Sequence, residues 1–339
     1  MATVGVAAFG ACSSRTSNSF TNISISRGLL YNRTMDTLST VVVIVGGGEL
    51  GKAVAVLLKK NNVAVEFWDA DPAVVPGQKP LQEIVPAATC IAFCVPSWAM
   101  RAAVTGVLPY LGPGAIVMSF AKGIEKDSLQ TMAEMVPTIL PPRQPFVVVG
   151  GPMLAAEIDG GMAAVGVFAS KDAATLQTAK TLFASEHFNV ETTGDPASAA
   201  LASVLKNIYA VALGIADGLE FSGNEKGWIT ACAIREMRGI AVVLGADPDM
   251  ILGTAGVGDF IATGYSVHSR NRETGIEIVT TGKCDVRGEG LNSLPFLIQR
   301  LGKEKAAAFP LLILINIIGI ECQPARPAFD AFFKNAAAR

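Results

Sequence analysis

One glycine-rich stretch constrains the fold more than any other part of the chain. Residues 41–60 read VVVIVGGGELGKAVAVLLKK, where β-branched residues lead into Gly46-x-Gly48-x-x-Gly51 and then an Ala/Val/Leu run. This order predicts a buried strand, a tight turn and a helix. Such glycines let backbone N–H groups approach a pyrophosphate, and the N-terminus of the following helix favours negative charge. Alone the pattern is weak, because glycine-rich turns are common between strands and helices.

The residues that follow strengthen a dinucleotide interpretation. Asp69 ends a second predicted strand, VAVEFWDAD at 63–71, at the distance from Gly46 expected of a ribose-binding acid. An acid there accepts hydrogen bonds from the ribose hydroxyls and repels a 2′-phosphate, which favours NAD over NADP. Asp71 is an alternative for this role. Glu49 is awkward, because a carboxylate near the pyrophosphate weakens binding unless it points outward.

Strands and helices alternate over the first part of the chain, and the pattern then changes. Further strands are predicted at 89–97, 114–120, 145–151 and 163–170, with helices at 50–61, 97–109, 127–137 and 172–185. Continuous apolar runs indicate strands buried on both faces. After about residue 195 only helical spacing remains, at 196–219, 224–245 and 305–321. The sequence therefore predicts an α/β fold: a Rossmann-like, doubly wound and mainly parallel sheet, followed by an all-α C-terminal domain.

The first residues have a different composition from the rest. Residues 1–35 contain six serines, four threonines and three arginines, and no acid precedes Asp36. This composition is typical of a transit peptide and favours a plastid (chloroplast) over a mitochondrion. The alternative is a disordered leader on a cytoplasmic protein. We therefore divide the chain into a leader at 1–38, a dinucleotide-binding domain at 39–194 and a helical substrate and catalytic domain at 195–339.

Composition excludes several classes of partner. The net charge of -2 argues against nucleic acid, so a small-molecule substrate is expected. Six cysteines without a C-x-x-C pair and only two histidines predict neither a metal site nor a disulfide framework. The longest apolar run, 311–320, is about half the length that a bilayer requires, so no membrane span is expected. Oligomeric state is left open, with a homodimer as one option.

Four further stretches carry a family resemblance. They are AKGIE (121–125), GGPMLAAEI (150–158), LKNIYAVALGIADGL (205–219) and GTAGVGDFIATGYSVHSRNRETG (253–275). With the glycine-rich stretch they resemble the NAD(P)-dependent glycerol-3-phosphate dehydrogenases of the soluble, bacterial and plastid type, from about residue 41 to 325. The resemblance implies reversible hydride transfer between NADH and dihydroxyacetone phosphate, giving sn-glycerol 3-phosphate for glycerolipid synthesis. NADP is the alternative cofactor.

Two charged residues, Lys206 and Asp259, are the candidates for catalysis, and Lys122 is a candidate for binding cofactor and substrate. Lys206 lies in an apolar helical segment, where desolvation lowers the pKa of a lysine toward the range useful for proton transfer. The resemblance implies that Lys206 donates a proton to the ketone, that Asp259 holds this lysine in place, and that both residues contact the substrate. Lys122 follows the predicted strand 114–120, at the sheet edge where open α/β folds bind ligands. The resemblance gives Lys122 contact with both cofactor and substrate.

The segment HSRNR (268–272) combines a hydroxyl, an amide and two guanidiniums, a natural grip for phosphate. The resemblance places the substrate phosphate at Ser269, Arg270 and Asn271, with Arg270 also near the cofactor. It likewise matches Thr263 to a substrate-binding threonine and Glu289 to an acid near the cofactor ribose.

Two loops complete the predicted site and also depart from the family pattern. The predicted cofactor contacts of the first loop are Gly46, Gly48, Glu49, Leu50 and Gly51, and Glu49-Leu50 replaces the usual aromatic residue. In the second loop Gly151 and Met153 are expected at the substrate and Ala155 at the cofactor, with Met153 in place of a polar residue. These departures motivate one alternative, a non-catalytic NAD-binding regulatory protein. Another hydroxyacid dehydrogenase of the same superfamily is the second.

Overall fold

A seven-stranded sheet forms the first part of the molecule. The computed structural model describes residues 40–284 and 288–337, so the predicted leader at 1–38 lies outside the described residues. The strands are β1 (Val41–Val45), β2 (Ala64–Trp68), β3 (Cys90–Phe93), β4 (Ile116–Ser119), β5 (Phe146–Gly150), β6 (Ala164–Ala169) and β7 (Phe188–Thr193). Their order is β2-β1-β3-β4-β5-β6-β7, and every neighbouring pair is parallel except β5 and β6. The predicted mainly parallel sheet is confirmed.

Helices cover the sheet and then form the rest of the described chain. Those of the sheet region are α1 (Glu49–Lys60), α2 (Leu81–Ile84), α3 (Met100–Val107), α4 (Met132–Ile139), α5 (Ala155–Asp159) and α6 (Ala173–Phe183). Those that follow are α7 (Pro196–Gly218), α8 (Gly223–Val243), α9 (Pro248–Leu252), α10 (Asp259–Tyr265), α11 (Arg270–Thr281), α12 (Glu289–Leu301), α13 (Lys303–Ala306), α14 (Pro310–Gly319) and α15 (Ala325–Ala337). The predicted helical C-terminal part is confirmed, whereas the exact domain boundaries remain predictions.

The sheet is buried on both faces, as its continuous apolar strands predict. Alternate residues of β1 point to opposite sides, so Val42 and Ile44 join one apolar cluster while Val43 and Val45 join the other. The first cluster includes α1 and α6, and the second includes α3 and α4. This doubly covered arrangement leaves the carboxyl ends of the strands as the edge where a ligand can reach the sheet.

The end of the sheet differs from the sequence expectation. The strand β7, with sequence FNVETT, was absent from the predicted elements because its polar residues lack the continuous apolar pattern of the inner strands. It lies at the sheet edge, where half of its residues remain exposed. The strand β6 runs antiparallel to β5, a direction that a local sequence pattern does not encode.

The helix α7 is the centre of the helical part. Asp195 caps its N-terminus by accepting a hydrogen bond from the Ser198 backbone N–H (3.1 Å), and Pro196 occupies the first helical position. Its 23 residues are long and apolar enough to cross a membrane, yet its apolar window is wholly buried inside the protein. Helices α8, α10, α11 and α12 pack around it. Among the described residues it is thus a core helix of the folded chain.

One pair of cysteines overturns part of the cysteine expectation. Cys284 and Cys322 form a disulfide, with Cα atoms 5.8 Å apart. Counting cysteines and their local spacings missed this pair, because 38 residues separate the two and only the packing of the last helices brings them together. Cys90, Cys94 and Cys232 are free thiols, and Cys90 lies in the buried strand β3 as predicted.

Candidate active site

The structure gives a different reason for glycine at each of the three predicted positions. Gly46 has φ +108°, and a Cβ there would lie 2.6 Å from the carbonyl oxygen of Cys94. Gly51 packs the start of α1 on β1, since a Cβ would lie 2.0 Å from the Gly46 oxygen. Gly48 precedes α1, and a Cβ there would meet no atom of the described residues within 4 Å. A tight turn, a close helix–strand contact and an open backbone at the helix N-terminus fit the pyrophosphate of a dinucleotide.

The acid beside this glycine turn is Asp69. Its Oδ2 accepts a hydrogen bond from the Gly47 backbone N–H (2.8 Å), and its Oδ1 accepts one from the Asp71 N–H (2.9 Å). Asp71 is exposed and caps the N–H of Ala73, so Asp69 is the better placed of the two candidates. Glu49, the first residue of α1, is exposed.

Lys206 and its neighbours form a buried polar cluster that we call the lysine cluster: Lys122, Lys206, Asp259 and Thr263. The ammonium of Lys206 donates to Asp259 Oδ1 (2.9 Å) and Thr263 Oγ1 (2.7 Å). The ammonium of Lys122 donates to Asp259 Oδ2 (2.7 Å). One carboxylate therefore bridges two cations. Lys206 is 6% exposed and Asp259 1%, so the cluster is nearly dry.

The four members come from three parts of the fold. Lys206 projects from the middle of α7, and Lys122 follows β4 at the carboxyl edge of the sheet. Asp259 begins α10, directly after a turn of π-helix at Thr254–Gly258. Such turns are frequent at functional sites, because they change the direction of the residues that follow. Thr263 lies one helical turn beyond Asp259 on the same face, which is why both reach one ammonium.

The electrostatics of the cluster favour proton transfer. Burial lowers the pKa of Lys206 to about 8; the Asp259 carboxylate opposes this effect and the Lys122 charge adds to it. Burial alone would raise the pKa of Asp259, but the two lysine charges hold it below its ordinary value. The carboxylate thus stays ionised near neutral pH, while Lys206 is poised to give up its proton.

The second predicted loop, which contains Gly151, Met153 and Ala155, contacts the lysine cluster with its backbone. The carbonyl oxygen of Gly151 accepts a hydrogen bond from Lys122 Nζ (2.8 Å), and Gly151 has φ +92° with no room for a Cβ beside Val165. Met153 is buried in the apolar cluster on the α1 side of the sheet. Ala155 begins α5, which packs on α1. Gly151 is therefore at the lysine cluster, whereas the Met153 side chain belongs to the core.

The HSRNR segment divides into buried and exposed members. Ser269 is buried and caps α11, its Oγ accepting from the Arg272 N–H (3.2 Å). The amide of Asn271 is also buried, donating to Asn207 Oδ1 (2.9 Å) and accepting from the Gly290 N–H (2.9 Å). Arg270 is exposed and pairs with Glu273 (2.7 Å). Of the three predicted phosphate contacts, Arg270 alone presents a charged side chain to solvent.

Asn207, left undecided by the sequence, belongs to this same network. Its amide nitrogen donates to the Lys122 carbonyl oxygen (3.2 Å), and its Oδ1 accepts from Asn271. It therefore connects the loop that carries Lys122 to α11. Both side chains are buried, so we assign the pair to holding the loop and the helices together.

Sequence reasoning named Glu289 but missed its partner. The backbone N–H of Ser97 donates to Glu289 Oε1 (2.8 Å), and the Ser97 hydroxyl donates to Oε2 (2.7 Å). Ser97 follows β3, and Glu289 begins α12, so the pair joins the sheet to the helical part. A serine after Pro96 carries no local signal of this contact, because its partner lies 192 residues away.

A cavity of about 940 Å³ lies elsewhere, between α8, α14 and α15. It is lined by Trp228, Cys232, Arg235, Phe309 and Phe332, among others. None of the predicted site residues lines it. The glycine turn and the lysine cluster therefore define the candidate active site independently of this cavity.

The fold and the site together define a class: an oxidoreductase that uses a nicotinamide dinucleotide. Residues 72–176 match the family described as NAD-dependent glycerol-3-phosphate dehydrogenase N-terminus, and residues 195–321 match the corresponding C-terminus. The chain belongs to the NAD-dependent glycerol-3-phosphate dehydrogenase family. The N-terminal match begins beyond the glycine turn, so the case for that turn rests on its geometry.

Curated relatives and solved structures agree with this assignment. The chain is 31% identical over 274 residues to a protein named glycerol-3-phosphate dehydrogenase (NAD(P)+) from Synechocystis sp., covering 78% of this chain and 84% of the relative. A protein of the same name from Azotobacter vinelandii is 32% identical, over 80% and 83%. The crystal structure of glycerol-3-phosphate dehydrogenase from Coxiella burnetii has the same fold, with a TM-score of 0.77, 23% identity and coverage of 87% and 99%.

Proposed function

We propose that this chain catalyses the reversible reduction of dihydroxyacetone phosphate by NADH to sn-glycerol 3-phosphate. The observation that carries the proposal is the buried lysine cluster at the carboxyl edge of the sheet. A lysine whose pKa is lowered to about 8 is an effective proton donor near neutral pH. Family membership supports the choice of substrate. Two relatives that match this chain over more than four-fifths of their own length are named glycerol-3-phosphate dehydrogenase.

The residues of the cluster have separate tasks in this reaction. Lys206 Nζ donates its proton to the ketone oxygen as the carbonyl carbon is reduced. Asp259 orients that ammonium through its hydrogen bond and keeps the second lysine, Lys122, in place. Two cations and one carboxylate leave the cluster with a net positive charge, which stabilises a developing alkoxide and attracts a phosphorylated substrate. The nicotinamide, when bound, supplies the hydride.

The substrate phosphate is proposed to bind at the start of α11. Helix N-termini favour anions, and Arg270 is the exposed cation at this end of the helix, whereas Arg272 is paired with Asp217. Its present partner, Glu273, is exposed, and an exposed ion pair of this kind is weak. Arg270 can therefore turn toward a phosphate at small cost. A planar guanidinium also matches two phosphate oxygens at once.

The acid beside the glycine turn supports NADH over NADPH. Asp69 lies where the ribose hydroxyls of the cofactor are recognised in this fold, and its carboxylate would repel a 2′-phosphate. Assays with both cofactors test this proposal. Wild type is expected to prefer NADH over NADPH, and Asp69→Asn should reduce the ratio of its activities with the two cofactors. A clear preference of the wild type for NADPH would contradict the role of Asp69.

The decisive assay is NADH oxidation with dihydroxyacetone phosphate. Lys206→Ala should lower kcat by roughly 10²- to 10⁴-fold, the usual contribution of a positioned proton donor. Lys305→Ala, which alters an exposed lysine of α13, is the matched control and should leave the rate unchanged. NADH binding without oxidation by the wild type would favour a regulatory NAD-binding protein. Activity only with a β-hydroxy acid would favour another dehydrogenase of the superfamily.

We also infer that residues 1–38 direct the chain to a plastid. Their serine- and arginine-rich, acid-poor composition supports this inference. A fluorescent protein fused to residues 1–38 should accumulate in chloroplasts of transformed plant cells, whereas the same fusion lacking the leader should stay in the cytoplasm. Mitochondrial or diffuse fluorescence of the first fusion would refute the inference.

The homodimer is proposed as the oligomeric state. Three exposed apolar side chains lie on α10 and just after its C-terminal end: Ile261, Tyr265 and Val267. They support a contact with a second copy of the chain at this surface. Sedimentation of the purified chain should give the mass of two copies. A single-copy mass across the micromolar range would rule the dimer out.

A further inference from the structure

We propose that Ser97 is a positioning residue that fixes Glu289, and through it the loop that carries Lys122, in the arrangement that binds the cofactor. The inference rests on the proposed function and adds to it a residue from the sheet side of the cleft. Ser97 itself need not touch substrate or cofactor. Its role follows from what it holds.

The contact is bidentate and joins a buried serine to a half-buried carboxylate. Ser97 is 1% exposed and supplies two donors, its backbone N–H to Glu289 Oε1 at 2.8 Å and its hydroxyl to Oε2 at 2.7 Å. Both oxygens of one carboxylate are thus oriented by one residue. Glu289 has no ion-pair partner in the described part of the chain. Its charge therefore depends on these two hydrogen bonds.

Partial burial of Glu289 makes its charged form depend more strongly on these two hydrogen bonds. It raises the pKa of Glu289, and the two donors of Ser97 oppose the rise by stabilising the charged form. Removing the hydroxyl would leave Oε2 of a half-buried carboxylate without its partner. The carboxylate would then rotate toward another donor or take up a proton.

The pair also packs directly on the Lys122 loop. A Cβ placed on Gly123 would lie 2.2 Å from the Ser97 Oγ and 2.7 Å from Glu289 Oε2. The neighbouring Ile124 backbone N–H donates to Ser293 Oγ (3.1 Å), one turn further along α12 than Glu289. Residues 122–124 are therefore pinned to α12 at two points. At the other end of this short loop, Lys122 reaches Asp259.

A chain of contacts thus runs from Ser97 through Glu289 and Gly123 to Lys122. It joins the turn after β3, the N-terminus of α12 and the loop after β4, which all meet at the carboxyl edge of the sheet. A shift of Glu289 would change the cofactor side of the cleft first. The proton donor Lys206 lies on α7 and would be affected less.

The test is Ser97→Ala, with NADH affinity measured by fluorescence separately from turnover. Displacing a residue that positions a binding group weakens binding by on the order of tenfold or more. The Kd for NADH should therefore rise roughly tenfold. At saturating NADH, kcat should stay within about threefold of wild type, since Lys206 is untouched. Ser185→Ala is the matched control: among the described residues this buried hydroxyl has no hydrogen-bond partner, so its removal should change neither value.

A double-mutant cycle identifies the route of the effect. If Ser97 acts through Glu289, the Kd of Ser97→Ala/Glu289→Gln should equal that of Glu289→Gln alone, so the two changes will not add. An unchanged Kd in Ser97→Ala, or fully additive effects in the double variant, would overturn the inference. Wild-type protein that reduces dihydroxyacetone phosphate in those same experiments keeps the proposed function intact. Wild-type protein that binds no NADH would overturn both.

Discussion

The glycine turn (residues 46–51) and the lysine cluster face the same edge of the sheet but are built in opposite ways. The turn is made of backbone, and its side chains, such as the exposed Glu49, are incidental to its shape. The cluster is made of charged side chains that have lost water and depend on one another. A backbone site tolerates changes of neighbouring side chains. A buried charge network tolerates none of its members being removed.

The largest effect is expected in the cluster, from Asp259→Asn. Two lysines would then share a nearly dry space without the carboxylate that bridges them. Breaking a buried ion pair of this kind costs about 3–5 kcal/mol in the free energy of unfolding. Turnover should fall by roughly 10²- to 10⁴-fold, because the proton donor loses its orientation. Urea unfolding and NADH oxidation measure the two losses.

Asp330→Asn is the control for that variant, since Asp330 is exposed on α15. It should match wild type in both assays. If Asp259→Asn instead kept wild-type turnover, the cluster could not be the catalytic centre, and the comparison between the two regions would lose its basis.

Two glycine variants separate shape from ligand contact within the turn. Gly51→Ala places a Cβ 2.0 Å from the Gly46 oxygen, and such overpacking should lower the free energy of unfolding by about 1–3 kcal/mol. Gly48→Ala meets no atom within 4 Å and should cost less than about 1 kcal/mol. Its effect should fall on NADH instead. The added Cβ would hold the pyrophosphate away from the backbone N–H groups, and losing one charge-assisted hydrogen bond in this way costs about 1.5–3 kcal/mol, or roughly tenfold to a hundredfold in Kd.

Thermal unfolding and NADH titration of the two glycine variants give a clear pattern. We expect Gly51→Ala to be the less stable protein and Gly48→Ala to be a stable protein with weak NADH binding. Normal NADH affinity in Gly48→Ala would show that the pyrophosphate does not lie over this part of the turn.

The smallest effect is expected from Glu49→Gln. Removing an exposed carboxylate beside the pyrophosphate site should tighten NADH binding by about two- to fivefold, the size of an exposed charge interaction. The cost is about 0.3–1 kcal/mol of helix stability, because an acid in the first turn of α1 is favourable. Glu304→Gln, an exposed acid far along the chain, is the control. Weaker NADH binding in Glu49→Gln would mean that the carboxylate helps the cofactor.

The comparison also explains what the sequence could predict. The glycine turn is local, so its spacing and the acid at the end of β2 predicted Gly46, Gly48, Gly51 and Asp69 together. The order of strands and helices is local too, and it predicted the sheet and the helical part. The apolar surroundings of Lys206 and the sheet-edge position of Lys122 marked these two lysines, but the family resemblance alone pointed to Asp259 as their partner, because no local pattern shows that the three residues meet.

Features formed by distant residues were missed for the same reason. Ser97 gains its role only where the turn after β3 meets α12. Cys284 and Cys322 are 38 residues apart in sequence and lie together only in the folded chain. Asn271, expected at the substrate phosphate, has its amide engaged by Asn207 and Gly290, which its neighbours in sequence do not predict. In each case the role of the side chain is set by residues that are distant in sequence, and its neighbours in sequence give no sign of that role.

The central claim is that a buried lysine gives the proton, and the pH–rate profile of the wild type tests it most directly. Lys206 must be protonated to reduce the ketone, so kcat/KM for dihydroxyacetone phosphate reduction should fall as the pH rises through a pKa near 8. Oxidation of glycerol 3-phosphate needs the neutral amine and should rise through the same pKa. A reduction rate that stays flat from pH 7 to roughly 9.5 would contradict the account.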